Sequence, residues 1–183
     1  MSRDPSQRSF IAYLEDRPGV LARVVSLFRR RAYNIESLLV GRSERPGVSR
    51  LTIVVRADDD TARRLEANLY KLVNVLYVEE VSRAPSVDRE WLVVKVATGP
   101  DRRTELLQLC EAFGARIVDV SSTSLIFEMT GPTDKVDGLL ETVRPFGVVE
   151  MVRTGMIAMT RGESAHQGLH FSRAAPSEDE RAA

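Results

Sequence analysis

The chain contains 183 residues, which is enough for one ordinary domain or two small ones. Apolar residues make up 43% and charged residues 28%, so the composition supports a packed core and excludes wholesale disorder. The 26 basic residues balance the 26 acidic ones, which argues against a surface that neutralises a nucleic-acid backbone. A single cysteine and only short apolar runs predict a cytoplasmic protein without disulfides or membrane spans.

The first half of the chain alternates between strand and helix patterns. Ser9–Glu15 places apolar residues at every second position, as a strand does, and the Pro-Gly pair at 18–19 favours a turn. Val20–Arg31 carries one apolar stripe at helical spacing. The arginines at its end, 29–31, are typical of a solvated helix terminus, and contact with a partner is the less favoured alternative. Strands over 34–41 and 49–56, a helix capped by Asp60 and a strand over 75–81 complete the order β-α-β-β-α-β.

The same order recurs in the second half of the chain. The pattern predicts strands over 90–97, 116–120, 124–129 and 148–152, with helices over 103–113 and 136–143. The predicted class is therefore α+β, with two tandem ferredoxin-like βαββαβ domains. We predict a flexible N-terminus at 1–8, domains at 9–83 and 90–161, a linker at 84–89 and a flexible tail at 162–183.

Few residues offer catalytic or metal-binding chemistry. The only histidines, His166 and His170, have the spacing of a zinc helix, but a glycine lies between them and no glutamate follows the first. Cys110 lies on an apolar helix face, which is typical of a small buried hydrophobe. The sequence contains no phosphate-binding loop, nucleophile elbow or RNA-stacking motif. We predict no catalytic site, no metal site and no cofactor bound by this chain.

The junction between the first strand and the first helix is the strongest candidate binding site. Asp16 can accept an ammonium group, and the free N–H groups of a helix start can accept an α-carboxylate. Gly19 permits close approach of a ligand, and Val20 and Leu21 offer apolar contact to an aliphatic side chain. The same residues suit a simpler role in which Asp16 caps the helix and Gly19 turns the chain. On spacing alone, both interpretations remain open.

Two sequence segments resemble a known family. Asp16–Leu21 resembles the D-x-P-G-x-L signature of the ACT domain, a ferredoxin-like module that binds amino acids and regulates metabolic enzymes. Leu27–Leu38 is more specific and is similar to the L-F-x-x-R-G-Y-N-I-E-S-L run of the small, regulatory subunit of acetolactate synthase (acetohydroxyacid synthase). Matches at Ser49–Ile53, Lys71–Val75 and Thr154–Gly162 extend the resemblance over both predicted domains.

This resemblance implies a non-catalytic regulatory subunit in branched-chain amino acid biosynthesis. Such subunits bind a large catalytic subunit that carries thiamine diphosphate, FAD and magnesium, raise its activity and confer feedback inhibition by valine. A stand-alone ACT sensor acting on another partner is the alternative. In the family, the inhibitor lies between two ACT domains paired edge to edge in a homodimer. The resemblance places Asp16, Gly19, Val20 and Leu21 on one chain's side of this site, and Asn34 and Ile35 on the other's.

Two positions depart from the family pattern. Asp16 stands where some members have asparagine, and Ala32 stands where glycine usually precedes the tyrosine. An aspartate strengthens the contact with an ammonium group but adds a charge that must be offset. The strength of the valine response is therefore open.

Overall fold

The computed structural model describes residues 6–162, which divide into two compact units. Within these residues, the first unit comprises 6–87 and 158–162, and the second comprises Asp88–Ile157. In each unit two helices pack on one face of an antiparallel sheet, so the predicted α+β class with two tandem ferredoxin-like folds is confirmed. Within residues 6–162, no helix is both long and apolar enough to cross a membrane.

Six elements form the body of the first unit: β1 (Ser6–Glu15), α1 (Val20–Arg30), β2 (Ile35–Arg42), β3 (Val48–Ala57), α2 (Asp59–Tyr70) and β4 (Val75–Glu80). The sheet order is β2-β3-β1-β4, so β2 and β4 are the edge strands. The cap of α2 is Asp58, whose carboxylate accepts the Thr61 N–H at 2.8 Å. The prediction of Asp60 as the cap was wrong by two positions, because the helix begins one residue before Asp60.

Six further elements form the second unit, apart from the first two residues of β5, which belong to the first: β5 (Ser86–Ala97), α3 (Pro100–Phe113), β6 (Arg116–Val120), β7 (Ser124–Gly131), α4 (Thr133–Val143) and β8 (Val148–Arg153). The strands follow the order β6-β7-β5-β8. Alternate residues of β5, such as Leu92 and Val94, are fully buried against apolar residues of α3 and α4. Helix α3 begins three residues earlier than predicted, because Pro100 occupies its first turn, where a missing N–H costs nothing.

A strand that the sequence did not predict, β9 (Ile157–Thr160), pairs with β5. Its Ala158 packs against Ile11 and Tyr13, which project from the face of the first sheet opposite the helices. The Ala158 carbonyl accepts a hydrogen bond from the Arg50 guanidinium at 2.5 Å. Strand β1 is therefore buried on both faces, unlike an ordinary ferredoxin-like strand with one open side.

The element bounds differ from the predicted ones near both ends of the first unit. Strand β1 begins at Ser6, inside the stretch expected to be flexible, because Arg8 is buried and pairs with the carboxylates of Asp59 and Glu80. Strand β5 begins at Ser86, inside the expected linker. Apart from Gly162, the predicted tail and both histidines lie outside the described residues.

Candidate functional site

The loop between β1 and α1 is fixed by contacts with two other loops. The buried Glu15 at its start donates its N–H to the Asn74 carbonyl at 3.0 Å, and its carboxylate accepts from the Asn74 side chain at 2.7 Å. The next N–H, of Asp16, is donated to the Gly47 carbonyl at 2.8 Å. Arg23 on α1 donates to the Asn74 side-chain oxygen at 2.7 Å, which ties the helix to the same point. The loop is therefore held in place by this unit's own contacts.

Asp16 does not cap helix α1. The N-cap position is Gly19, and no side chain accepts a hydrogen bond from the first turn. The Asp16 carboxylate is exposed and accepts a hydrogen bond from the Ser49 hydroxyl at 3.2 Å. The capping interpretation of Asp16 is thus wrong, and the first N–H groups of α1 are left without a side-chain acceptor. The binding interpretation stays a prediction.

Gly19 and Leu21 border open space at the helix start, whereas Val20 does not. Gly19 has a φ of 82°, in the left-handed region that favours glycine, and a Cβ built there would meet no atom within 4 Å. Leu21 is 40% exposed, but Val20 is 5% exposed and packs in the core. The apolar contact expected from both side chains can therefore come only from Leu21. Val20 instead anchors the helix.

Asn34 and Ile35 lie at the opposite end of the sheet from this loop. Glu15 pairs with Val48 at the start of β3, and Ile35 pairs with Val55 near its end. The two pairs are separated by seven steps along β3, which corresponds to roughly 23 Å at ~3.3 Å per residue. A single chain does not bring the two predicted groups of site residues together.

The corresponding loop of the second unit lacks a carboxylate. It runs through Thr98 and Gly99 into Pro100, and Gly99 has an ordinary φ of −84°. The Thr98 hydroxyl donates to the Gly99 carbonyl at 3.1 Å. A cavity of about 330 Å³ beside it is lined partly by Arg102, whose guanidinium lies 3.9 Å from the centre of the Phe146 ring. The nearest carboxylate in sequence, that of Asp101, lies in the first turn of α3 and outside the loop itself.

Neither Cys110 nor the carboxylates form a reactive or metal-binding cluster in the described part of the chain. Cys110 is buried in the second core, as predicted, and burial raises the pKa of its thiol to about 11. Residues 6–162 contain no group of three or more His, Cys, Asp or Glu side chains that could hold a metal ion.

Both halves of the chain match known family models. A family model described as the AHAS small subunit-like ACT domain matches residues 11–77, and one described as the small subunit of acetolactate synthase matches residues 89–162. The probable acetolactate synthase small subunit of Archaeoglobus fulgidus is 47% identical over 149 residues, covering 81% of this chain and 93% of that protein. The chain belongs to the acetolactate synthase small-subunit family. The resemblance seen in the sequence is confirmed.

Other relatives agree with this membership of the acetolactate synthase small-subunit family. The acetolactate synthase small subunit of Mycolicibacterium smegmatis is 39% identical over 162 residues, which cover 88% of this chain and 95% of that protein. The crystal structure of the acetolactate synthase small subunit from Thermotoga maritima matches with a TM-score of 0.80 and 38% identity. The match covers 87% of this chain and 99% of that one, so it includes both units.

Sequence reasoning missed the residues that hold the loop. Ser49 and Asn74 both lie in segments that carried the family resemblance, but their spacing gave no sign that they contact the loop after β1. In the structure the Ser49 hydroxyl donates to the Asp16 carboxylate and the Asn74 side chain donates to that of Glu15, over 33 and 59 positions along the chain. Such contacts follow from sheet order, which local patterns do not encode.

Proposed function

We propose that this chain is a non-catalytic regulatory subunit that binds and activates the large subunit of acetolactate synthase and makes it sensitive to valine. The large subunit is expected to carry thiamine diphosphate, FAD and magnesium. Membership of the small-subunit family supports the partnership. The feature that supports amino-acid sensing is the open start of helix α1 beside an exposed carboxylate.

The geometry of this loop suits the two charged groups of an amino acid. The N–H groups at the start of α1 can donate to an α-carboxylate, which the helix dipole also attracts. The Asp16 carboxylate, held by Ser49, can accept from an α-ammonium group. Leu21 offers an apolar surface at the same end of the helix, which fits a short aliphatic side chain such as that of valine.

A homodimer formed through β2 would complete this site. Two edge strands paired antiparallel about a two-fold axis place the start of one β2 beside the end of the other. The last residue of β2, Arg42, pairs with Ser49, which contacts Asp16. Asn34 of a second copy would therefore lie at the end of the sheet where Asp16 lies. Within one chain the two groups of residues are roughly 23 Å apart.

Exposed apolar side chains favour this edge for dimerisation. Val40 on β2 and both Leu21 and Val25 on α1 are exposed. The other side of α1, which carries Arg23 and Arg30, lies beside Leu72, just after the end of α2. Leu21 and Val25 therefore point away from α2, toward the β2 side of the helical layer. At the other edge of the sheet, Tyr70 donates to a β4 carbonyl at 2.8 Å. An unpaired edge with an apolar border is normally covered in a stable protein.

The decisive experiment is to mix the purified chain with its cognate large subunit and measure acetolactate formation with and without valine. The assay contains pyruvate, thiamine diphosphate, FAD and magnesium. We expect the chain to raise the rate of the large subunit, valine to reverse this effect, and the chain alone to form no acetolactate. Asn34→Ala should weaken the valine response, because it removes a polar partner of the ligand.

Several results would contradict the proposal. Turnover by the isolated chain above a blank preparation would show that it is an enzyme in its own right. Binding of a branched-chain amino acid without any association with the large subunit, measured by co-purification, would favour the stand-alone sensor. Unaltered large-subunit activity in the mixture would argue against activation.

A further inference from the structure

Helix α1 has two different flanks beside its buried stripe. Leu21 and Val25 form an apolar flank, whereas Arg23, Ser26 and Arg30 lie on the other side of the helix. Positions 23, 26 and 30 are spaced by three and four residues, so they share one face. The apolar flank has an occupant in the proposed dimer. The polar flank has none.

The polar flank lines a groove of about 370 Å³ between α1 and Leu72, which lies two residues after the end of α2. We call this the basic groove and define it by its lining residues, Ala22, Arg23, Ser26, Arg30 and Leu72. The lining combines two arginines and one serine with two apolar residues. This combination suits carboxylates carried on a peptide segment.

The basic groove has an unbalanced charge in an otherwise balanced protein. The formal net charge of the chain is zero, and the arginines at positions 8, 56, 83, 116 and 153 form ion pairs with carboxylates. In the described part of the chain, no carboxylate pairs with Arg23 or Arg30, and the partner of Arg23 at 2.7 Å, the Asn74 side-chain oxygen, is neutral and leaves its charge unbalanced. Helix α1 itself contains no acidic residue. Its positive charge therefore remains available to a partner.

The chain contains a segment of complementary charge outside the described residues. Glu178, Asp179 and Glu180 form a run of three acidic residues near the end of the sequence. They follow Gly162, the last described residue, by 16 to 18 positions. A connection of this length spans at most on the order of 50 Å.

This length is sufficient to reach the basic groove from the end of β9. Ala158 on β9 packs on the face of the first sheet opposite the helices. A path from that face, around the sheet edge, to the helical layer is on the order of 30 to 40 Å, given strand spacings near 4.8 Å and layers ~10 Å apart. A tether of this kind maintains a local concentration in the millimolar range, which compensates for weak individual contacts.

We propose that the acidic segment Glu178–Glu180 of this chain docks in the basic groove. Its carboxylates face the Arg23 and Arg30 guanidinium groups and the Ser26 hydroxyl. The contacts are exposed ion pairs, which are individually weak and screened by salt. The docked segment therefore dissociates at moderate ionic strength and is displaced by any acidic partner that binds more strongly. This inference does not depend on the proposed function.

The experiment uses the full chain with a nitroxide attached at Ser177→Cys. Cys110 does not compete for the label, because it is buried and burial raises the pKa of its thiol to about 11. Paramagnetic broadening of the backbone amide signals is measured by NMR at 20 mM salt. We expect signals from residues 22–30 to lose at least twice as much intensity as those of α4. At 0.5 M salt this difference should disappear.

Three variants test the charge pairing. Replacing the acidic run by Glu178→Gln, Asp179→Asn and Glu180→Gln should abolish the local broadening, and Arg30→Gln should at least halve it. Arg29→Gln is the matched control, because Arg29 is the neighbouring arginine on α1 and does not line the groove. It should leave the broadening unchanged.

The proposal is overturned if broadening is uniform over the protein or persists after the acidic run is neutralised. It is also overturned if the segment stays free while addition of the large subunit protects α1 amides from hydrogen exchange. That result would assign the basic groove to the catalytic partner.

Discussion

The two units share one fold and one strand order, yet only the first presents an open polar helix start. In the first unit Gly19 takes a left-handed conformation beside an exposed carboxylate. In the second, Gly99 is extended and Pro100 occupies the first helical turn. The fold supplies a loop at this point in both units, whereas a few residues within the loop decide whether it can hold a charged ligand.

The units also end their first helices in the same way but with different residues. In α1 the N–H groups of Ala32 and Tyr33 bond to the carbonyls of Arg29 and Phe28, at 3.2 and 3.0 Å. At the end of α3 the N–H groups of Gly114 and Ala115 bond to the carbonyls of Glu111 and Cys110, at 2.9 and 2.8 Å. Both patterns are Schellman motifs, which require a left-handed residue after the helix. The second unit uses Gly114 there, and the first uses an alanine.

The largest expected contrast is between Gly19→Asp and Gly99→Asp. Open space surrounds both positions, so the new side chain fits in either. At position 19 the second carboxylate should repel the α-carboxylate of valine and reduce affinity by roughly a hundredfold, whereas activation of the large subunit should persist. Gly99→Asp should leave the valine response unchanged. The measurement is large-subunit activity against valine concentration.

A backbone control belongs with this pair. Gly19 has a positive φ, so any side chain there adds strain. Gly19→Ala carries this strain without the charge and should retain most of the inhibition. If Gly19→Ala and Gly19→Asp lose inhibition equally, the loop conformation matters and charge repulsion does not. If neither variant changes the inhibition curve, the effector binds elsewhere.

The second contrast concerns dimerisation. Val25 on α1 and Leu107 on α3 are similarly exposed, at 42% and 37%. Because Val25 borders the proposed β2 interface, Val25→Glu should bury an unpaired charge there and raise the dimer dissociation constant at least tenfold. Leu107→Glu should leave the dimer intact. Light scattering over a micromolar concentration series distinguishes these outcomes, and a wild-type monomer would contradict the proposed interface.

The units should also respond differently to alkaline pH. Burial raises the pKa of Tyr77 in the first unit from 10.0 to about 12, and that of Cys110 in the second unit from 9.0 to about 11. Each group stays protonated to a higher pH in the folded state than in the unfolded state. Its contribution to the free energy of unfolding is therefore complete below the ordinary pKa and is lost as the pH rises toward the raised pKa. The second unit should weaken between pH 9 and 11, and the first between pH 10 and 12.

The two units can be observed separately in the full chain. Trp91 is the single tryptophan and lies in the second unit, so its fluorescence follows that unit during urea unfolding. Hydrogen exchange of β1 amides follows the first. Cys110→Ala should flatten the pH dependence between 9 and 11 in the fluorescence signal, and Tyr77→Phe should flatten the later loss. A fluorescence midpoint that does not fall between pH 9 and 11 in the unsubstituted chain would contradict this prediction.

Sequence patterns predicted the repeated fold because each unit's helices and strands carry their own apolar periodicity. They also predicted the β1–α1 loop, since a carboxylate, a proline and a glycine stand together there. They did not predict β9, the burial of Arg8 or the Asn74 contact with Glu15, which depend on segments brought together by the fold. The burial of Val20 could have been inferred, because it lies on the apolar stripe of its helix.

The smallest contrast, between Ala32→Gly and Gly114→Ala, tests the helix ends. Among residues 6–162, Ala32 is the only residue other than glycine with a positive φ, at 55°. A left-handed L-residue costs roughly 1–2 kcal/mol, and the greater freedom of glycine in the unfolded chain offsets about 0.4–1 kcal/mol of this. Ala32→Gly should therefore stabilise the first unit by about 0.5–1 kcal/mol. Gly114→Ala should destabilise the second by a similar amount, because the alanine would have to adopt the left-handed φ of 71°. A Cβ there adds no clash to this cost, since its nearest neighbour is the end of the Lys135 side chain at 3.9 Å. Urea unfolding followed by the same two unit-specific signals measures both changes, and equal signs would show that the two Schellman motifs are not energetically equivalent.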